Sequence, residues 1–321
     1  MNATQAILPI LQDFRQDFRP AGRPSSCHVA LDEKAGVEYH EIGVREILNP
    51  CNSTRMPFAW TINPYRGCEF ACSYCYARYT HTFFDLDPWR DFEKRIFVKL
   101  GAAESLEKKL RRTALHGQPI AIGTATDPYQ PAELRYGVTR KLLEVFAKVE
   151  GLDLSITTKS PLVLRDLDLL ARLNRRHSLT VNVSITTLDT ELARRLEIRA
   201  PAPRARLDAA IRLAEAGIAT AIFCMPLLPG INAGSRELLP IFEAASAGGI
   251  FDVQASPFFL PAASRIRFWS WLKAEFPNLV PRYQRLFKRR GRLTDADKDR
   301  LFEVFRRLRL EFGFPRPNPG L

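Results

Sequence analysis

Asn63-Pro64-Tyr65-Arg66-Gly67-Cys68-Glu69-Phe70-Ala71-Cys72-Ser73-Tyr74-Cys75-Tyr76-Ala77-Arg78 holds three of the chain's six cysteines within eight residues. Their spacing is Cys-x3-Cys-x2-Cys, so one short loop brings Cys68, Cys72 and Cys75 together around one face of a metal or cluster. A structural zinc site wants a fourth ligand at local spacing, and His81, six residues after Cys75, is the nearest later one. A [4Fe–4S] cluster normally takes four cysteines. Three would leave one iron open to bind a small molecule.

Upstream of this loop lies the β-rich run Phe58–Ile62, and five more such runs follow it: Ile120–Gly123, Leu154–Thr157, Leu179–Ile185, Ile218–Cys224 and Phe251–Gln254. Between them the apolar residues recur at helical spacing, as in Val138, Leu142, Leu143, Phe146 and Val149, or Val163, Leu167, Leu170 and Leu173. Strands alternating with helices read as consecutive βα units and a parallel sheet. The sheet is either a complete or incomplete barrel or an open doubly wound sheet. Residues 1–57 show no sustained period and carry Pro20, Gly22, Pro24, Pro50 and Pro57, so they read as an irregular N-terminal extension. The barrel region is expected over 58–261. Beyond it, over 262–321, the strands stop, and a helix from Asp295 to Phe312 sets Leu301, Phe302, Phe305, Leu308 and Phe312 on one face for docking.

The chain of 321 residues carries 47 Lys+Arg against 35 Asp+Glu, a formal net charge of +12. Its 46% hydrophobic and 26% charged residues exclude disorder as the dominant state. No run approaches the roughly 20 apolar residues of a membrane helix, and the first twenty residues lack a long apolar stretch. A soluble, cytoplasmic protein is therefore expected, in which six cysteines do not read as a disulfide framework. Residues 265–321 hold fifteen Arg/Lys and six Asp/Glu, so +9 of the net charge sits in this tail, densest at Lys288–Arg292 and Arg306–Arg309. Such a segment is either a solvated surface or a platform for a polyanion such as DNA or RNA.

The cysteine motif resembles that of the radical S-adenosylmethionine (SAM) superfamily, Cys-x3-Cys-x-aromatic-Cys, matched by Cys68, Cys72, Tyr74 and Cys75. The resemblance implies a partial (βα)6 TIM-type barrel with the cluster loop after the first strand. It also implies a [4Fe–4S] cluster whose open iron chelates SAM, and reductive cleavage of SAM to a 5′-deoxyadenosyl radical. An electron donor such as flavodoxin or ferredoxin is implied with it. Barrel chemistry lies at the C-terminal strand ends. There, Gly123–Glu133, Thr157–Ser160, Val183–Ile185 and Pro226–Asn232 look like the spore photoproduct lyase-like branch.

By that analogy Thr126, Lys159 and Ser184 are SAM contacts, Asp127 positions SAM or substrate, Tyr74 lines the cofactor pocket and Tyr76 relays a radical. The chain departs from the lyases at one place. Where they carry a hydrogen-donating cysteine, three residues before Asp127, this sequence has Thr124, whose O–H bond is too strong to replace a thiol. Cys224, ending the fifth strand, is the substitute donor to inspect, against a buried apolar cysteine. Cys27 and Cys51 lack the spacing of an auxiliary cluster. Three functions compete: a radical SAM enzyme on nucleic acid, one on a peptide or small metabolite, and a non-catalytic iron–sulfur or zinc module that binds nucleic acid.

Overall fold

Alternating β-branched residues place six of the strands where the sequence predicts them. The computed structural model describes residues 28–34, 36–53, 56–288 and 291–314. In chain order the strands are β1 (His28–Lys34), β2 (Val37–Ile42), β3 (Leu48–Pro50), β4 (Trp60–Ile62), β5 (Tyr65–Arg66), β6 (Arg95–Val98), β7 (Ile120–Ile122), β8 (Asp153–Thr158), β9 (Ser178–Ser184), β10 (Ala219–Leu227) and β11 (Asp252–Pro257). One sheet has the order β11-β10-β9-β8-β7-β4-β3. Its neighbours from β4 to β11 pair in parallel, and β3 pairs antiparallel to β4.

Parallel strands need crossovers, and helices supply them. α1 (Ala102–Leu110) lies between β4 and β7; α2 (Ala132–Tyr136) and α3 (Val138–Phe146) follow β7; α4 (Leu167–Asn174) follows β8. α5 (Thr190–Leu196) and α6 (Pro203–Glu215) follow β9, and α7 (Ser235–Ala247) follows β10. After β11 come α8 (Arg265–Glu275), α9 (Val280–Leu286) and α10 (Asp295–Glu311). The result is an α/β fold with six βα-type strands, the partial (βα)6 barrel arrangement expected.

The two faces of this sheet differ. Ile62, Ile122, Ile156, Val183 and Ile222 share one parity, are buried, and belong to the core shared with the helices. The other parity carries Thr61, Thr157, Asn182 and Ser184, with Asn182 Nδ2 donating to Thr157 Oγ1 at 3.4 Å. The polar face is the one that can serve chemistry.

Residues 28–50, which the sequence presents as irregular, hold three strands. β1 and β2 form a hairpin, β2 pairs in parallel with β6, and β6 pairs with β5. Val37, Tyr39 and Ile42 are buried while Glu38 and Glu41 are not. Residues 1–27, Cys27 among them, lie outside the described residues.

At the other end, Thr294 caps α10 by accepting from the Asp297 amide at 3.2 Å. The helix buries Leu301, Phe305 and Leu308, with Phe302 and Phe312 partly covered. Arg309, also buried, pairs with Asp252 at 2.8 Å and donates to the Val253 carbonyl of edge strand β11. Among the described residues no helix is long and apolar enough to cross a membrane.

Gly123 closes β7 at φ +89°, where a Cβ would lie 2.6 Å from both the Thr157 carbonyl and Pro128 Cδ. Neither backbone nor ring can yield cheaply. Gly123→Ala is therefore expected to cost roughly 2–4 kcal/mol, read as a lower urea midpoint.

Candidate active site

The cysteine loop leaves β4 and is pinned first by β5, which pairs Tyr65 with Val98 and Arg66 with Phe97. Gly67 follows at φ +87°, where a Cβ would lie 2.9 Å from the Phe92 and Arg95 carbonyls, so the loop passes closer to β6 than any other residue allows. The Gly67 carbonyl accepts from Thr126 Oγ1 at 2.6 Å and from Gln130 Nε2 at 3.2 Å. Gln130 Oε1 in turn accepts from the Glu69 amide at 3.0 Å. Glu69 accepts from Tyr39 of β2 at 2.9 Å, which ties the N-terminal hairpin to the loop. On the far side Cys72 makes an isolated bridge with Glu197, and Ser73 donates its amide and its hydroxyl to the Leu196 carbonyl, both at 3.0 Å. The Cys75 carbonyl accepts from Ser264 Oγ at 2.7 Å.

Cys72 is buried, and Cys68 and Cys75 are half-buried. Burial pushes all three thiols up: Cys68 well above its ordinary value, with Asp127 and the other two cysteines adding to the effect, and Cys72 to about 12. Three soft sulfur donors that feel one another where water is largely excluded fit an iron–sulfur cluster, whose positive irons would hold them as thiolates. No three His, Cys, Asp or Glu side chains among the described residues form a ligand group for a single metal ion. A cubane takes one thiolate on each of three different irons, so its ligands need not meet at one point. His81 is fully buried between Phe92 and Phe97, with Nε2 3.0 Å from the Arg95 carbonyl and its pKa lowered to about 4 by burial.

Beside the loop lies a buried carboxylate that the sequence does not advertise. Glu197, just past α5, accepts from the Tyr74 hydroxyl, from Arg206 of α6, and from Thr186 Oγ1 at 3.2 Å. Lys159 Nζ stands 3.6 Å from the same carboxylate and 5.9 Å from the centre of the Tyr74 ring. Burial, the largest single influence, pulls the Lys159 pKa down, but Glu197, Cys72 and Asp127 together outweigh it and the net shift is upward, so the ammonium stays charged. Burial alone would raise the Glu197 pKa; Arg206 and Lys159 reverse this and hold it at about 2. One carboxylate therefore serves two cations, the buried Arg206 and the partly buried Lys159, with Asp127 the next acid to act on Lys159.

The other predicted residues divide. Asp127 accepts from Thr158 Oγ1 at 2.7 Å, the Tyr129 amide at 2.9 Å and the Lys159 amide at 2.7 Å. It fixes the strand end that carries Lys159. Thr126 spends its hydroxyl on Gly67, bracing the loop. Ser184 is buried on the polar face, and its carbonyl accepts from Arg206 Nη1 at 3.2 Å. Tyr76 donates to the Thr124 carbonyl, and its ring centre lies 5.6 Å from that of Phe259. Thr124 Oγ1 accepts from Asn63 Nδ2 at 3.1 Å.

Cys224 requires a correction. It shares parity with Ile222 and pairs with Ala255, so it sits fully buried in the apolar core, with burial raising its thiol to about 12. Asn182 and Ser184 mark the opposite face, so Cys224 does not reach the barrel mouth as a hydrogen donor.

Of the basic tail, Arg309 is buried, Arg306 pairs with Asp299 at 3.2 Å, and Arg307 donates to Ser235 Oγ at 2.9 Å. Arg289 and Arg290 lie outside the described residues. Arg292 stacks over Phe259 at 5.6 Å, beside Tyr76.

Known proteins match this chain at three levels. It is 35% identical over 269 residues to the uncharacterized protein Rv2578c of Mycobacterium tuberculosis, covering 84% of this chain and 79% of that one. It is 33% identical over 183 residues to the uncharacterized protein MJ0683 of Methanocaldococcus jannaschii, covering 57% and 66%. In fold it resembles spore photoproduct lyase complexed with dinucleoside spore photoproduct, with a TM-score of 0.61 and 18% identity over 87% of this chain and 80% of that one. The family model for the Radical SAM superfamily matches residues 62–239, from the end of β4 into α7. With more than half of its length matched, the chain belongs to the radical SAM superfamily, whose cofactors are a [4Fe–4S] cluster and SAM.

Proposed function

We propose that Cys68, Cys72 and Cys75 hold the cluster, that the protein reductively cleaves SAM, and that its substrate is nucleic acid. The observation that carries the reading is the partly buried Lys159 ammonium beside the cysteine loop, which has only a share of Glu197 because Arg206 holds the same carboxylate more closely. A desolvated cation with only part of a counter-ion is costly unless an anion joins it, and the carboxylate of SAM is such an anion. When bound, the reduced cluster supplies the electron that splits SAM into methionine and a 5′-deoxyadenosyl radical. The chain positions the reacting groups. Lys159 receives the SAM carboxylate, Asp127 fixes the Lys159 backbone, Tyr74 walls the pocket, and Ser184 presents its hydroxyl from the polar face. Tyr76, next to Cys75, is the side chain placed to pass a hydrogen atom at the mouth.

The nucleic-acid half of the reading is supported by Phe259, Tyr76 and Arg292, which set two aromatic rings and a guanidinium at the strand ends. Rings of this kind stack on bases and arginine contacts phosphate. Repair of the spore thymine dimer is not proposed, because Thr124 stands in the hydrogen donor's place and is bonded to Asn63.

The test is 5′-deoxyadenosine release after anaerobic reconstitution with iron and sulfide, using SAM and dithionite, with and without DNA or RNA. Reductant-dependent release, faster with nucleic acid, is expected, together with salt-sensitive binding weakened in Arg292→Ala. A cluster-loaded protein that releases nothing under any of these conditions would overturn the enzyme reading. Release that is indifferent to DNA and RNA, with no binding at low salt, would overturn the substrate class alone.

A further inference from the structure

We infer that the outer face of α8 is the docking surface for an acidic one-electron carrier protein. The inference rests on the function proposed above, since only a cluster that must be reduced needs such a partner. With Cys72 buried and Cys68 and Cys75 only partly exposed, a bonded path from the surface favours entry of the electron. Ser264 provides one: it is fully buried, donates to the Cys75 carbonyl at 2.7 Å, and immediately precedes α8. The next residue, Arg265, is exposed.

The surface around that entry has the make-up of a transient protein interface. Ile266 is 62% exposed, and Trp269 and Lys273 lie on the same helical stripe at spacings of three and seven residues. An exposed apolar centre with a charged rim is typical of docking patches. The charge is one-signed. Arg265 and Arg267 stand in the first turn of α8 with no acid, against the preference of the helix macrodipole, so they reinforce its positive end. The helix's one acid, Glu275, is paired with Arg195 at 2.7 Å. Arg267 pairs with Glu93 at 3.5 Å, whereas Arg265 and Lys273 form no ion pair among the described residues. Nucleic acid would use the cations and leave Ile266 uncovered; a protein with an acidic, partly apolar face uses both.

The electron balance is simple. A flavoprotein carrier in its anionic hydroquinone state gives up one electron and becomes the neutral semiquinone. The cluster takes that electron and passes from the 2+ to the 1+ state, and no proton changes hands.

The test compares cluster reduction, followed by absorbance bleaching in stopped flow, with reduced flavodoxin and with dithionite. For the wild type the flavodoxin rate is expected to fall as salt rises. Arg265→Glu/Lys273→Glu is expected to lower that rate about tenfold or more at low salt and to lose the salt dependence, while the dithionite rate holds. Arg265→Gln/Lys273→Gln should fall between the two. An unchanged flavodoxin rate in the reversed variant would overturn the inference. So would equal slowing with both reductants, which marks a damaged cluster site, or loss of nucleic-acid binding with reduction intact. Failure of the proposed function looks different: the wild-type cluster takes the electron from dithionite and still cleaves no SAM.

Discussion

Cys72→Ala is expected to abolish 5′-deoxyadenosine formation and cluster uptake while leaving a folded chain. Cys72 lies in the middle of the motif, buried, with its backbone bridged to Glu197. The bridge uses main-chain groups, so an alanine keeps it and costs only about 1 kcal/mol of lost packing. The metal chemistry has no such reserve, because two thiolates cannot hold three irons. Turnover should fall by about a thousandfold or more, since the cofactor carries the difficult step and the protein alone offers no substitute. Iron and labile-sulfide analysis, a 5′-deoxyadenosine assay and circular dichroism check this together. Cys68→Ala and Cys75→Ala should behave alike, and Cys224→Ala, in the apolar core, serves as the control. A Cys72→Ala protein that kept its full iron and sulfide would show that the ligands lie elsewhere.

Glu197→Gln carries the second large effect, and it falls on stability. The substitution keeps the size and some hydrogen bonds but leaves the buried Arg206 without its counter-ion and strips the partly buried Lys159 of its nearest one. Removing one partner of such a set costs about 3–5 kcal/mol, which in a chain of this length lowers the melting temperature by roughly 5–10 °C. The pH dependence gives an independent check. The folded pKa of Glu197, about 2, lies below its ordinary 4.5. Its contribution is therefore complete above pH 4.5 and is lost as pH falls toward 2. Wild-type stability should decline across that window more steeply than that of Glu197→Gln. Parallel acid-unfolding curves for the two proteins would sink the assignment.

Local signals made most of the architecture legible. The strands over 120–123, 154–157 and 179–185 are short β-branched runs between helix-period segments, and each appears within a residue or two of its expected bounds. The cysteine loop was legible because all three cysteines sit in one stretch of chain. The hairpin over 28–42 was legible only in part: Val37 and Tyr39 are buried in alternation after the turn at Gly36, but the alternation breaks before Ile42, too short a period-two signal to stand out among the prolines around it. β5 was not legible, since two residues become a strand only when β6 lies alongside.

The site's hidden partner is Glu197. In the run from Glu191 to Arg199 it is one charge among many, and only the return of the chain to Cys72 buries it. The placement of Cys224 was left open for a related reason. Parallel strands are covered on both faces, so the sequence of β10 does not say which parity looks inward. That becomes visible through the register with Asn182 on β9.

The capping of β11 by Arg309 bears on how the protein is made. The sheet's last strand exposes a row of backbone groups on its outer side, and the guanidinium that engages the Val253 carbonyl belongs to α10. Residues 295–311 follow β11 by some forty residues, so they leave the ribosome after the sheet they cap. Until they emerge, a nascent chain carries a finished sheet with an open flank, ready to pair with a neighbour on the same polysome. Chains that stall or terminate before residue 295 belong to the pool that chaperones must hold.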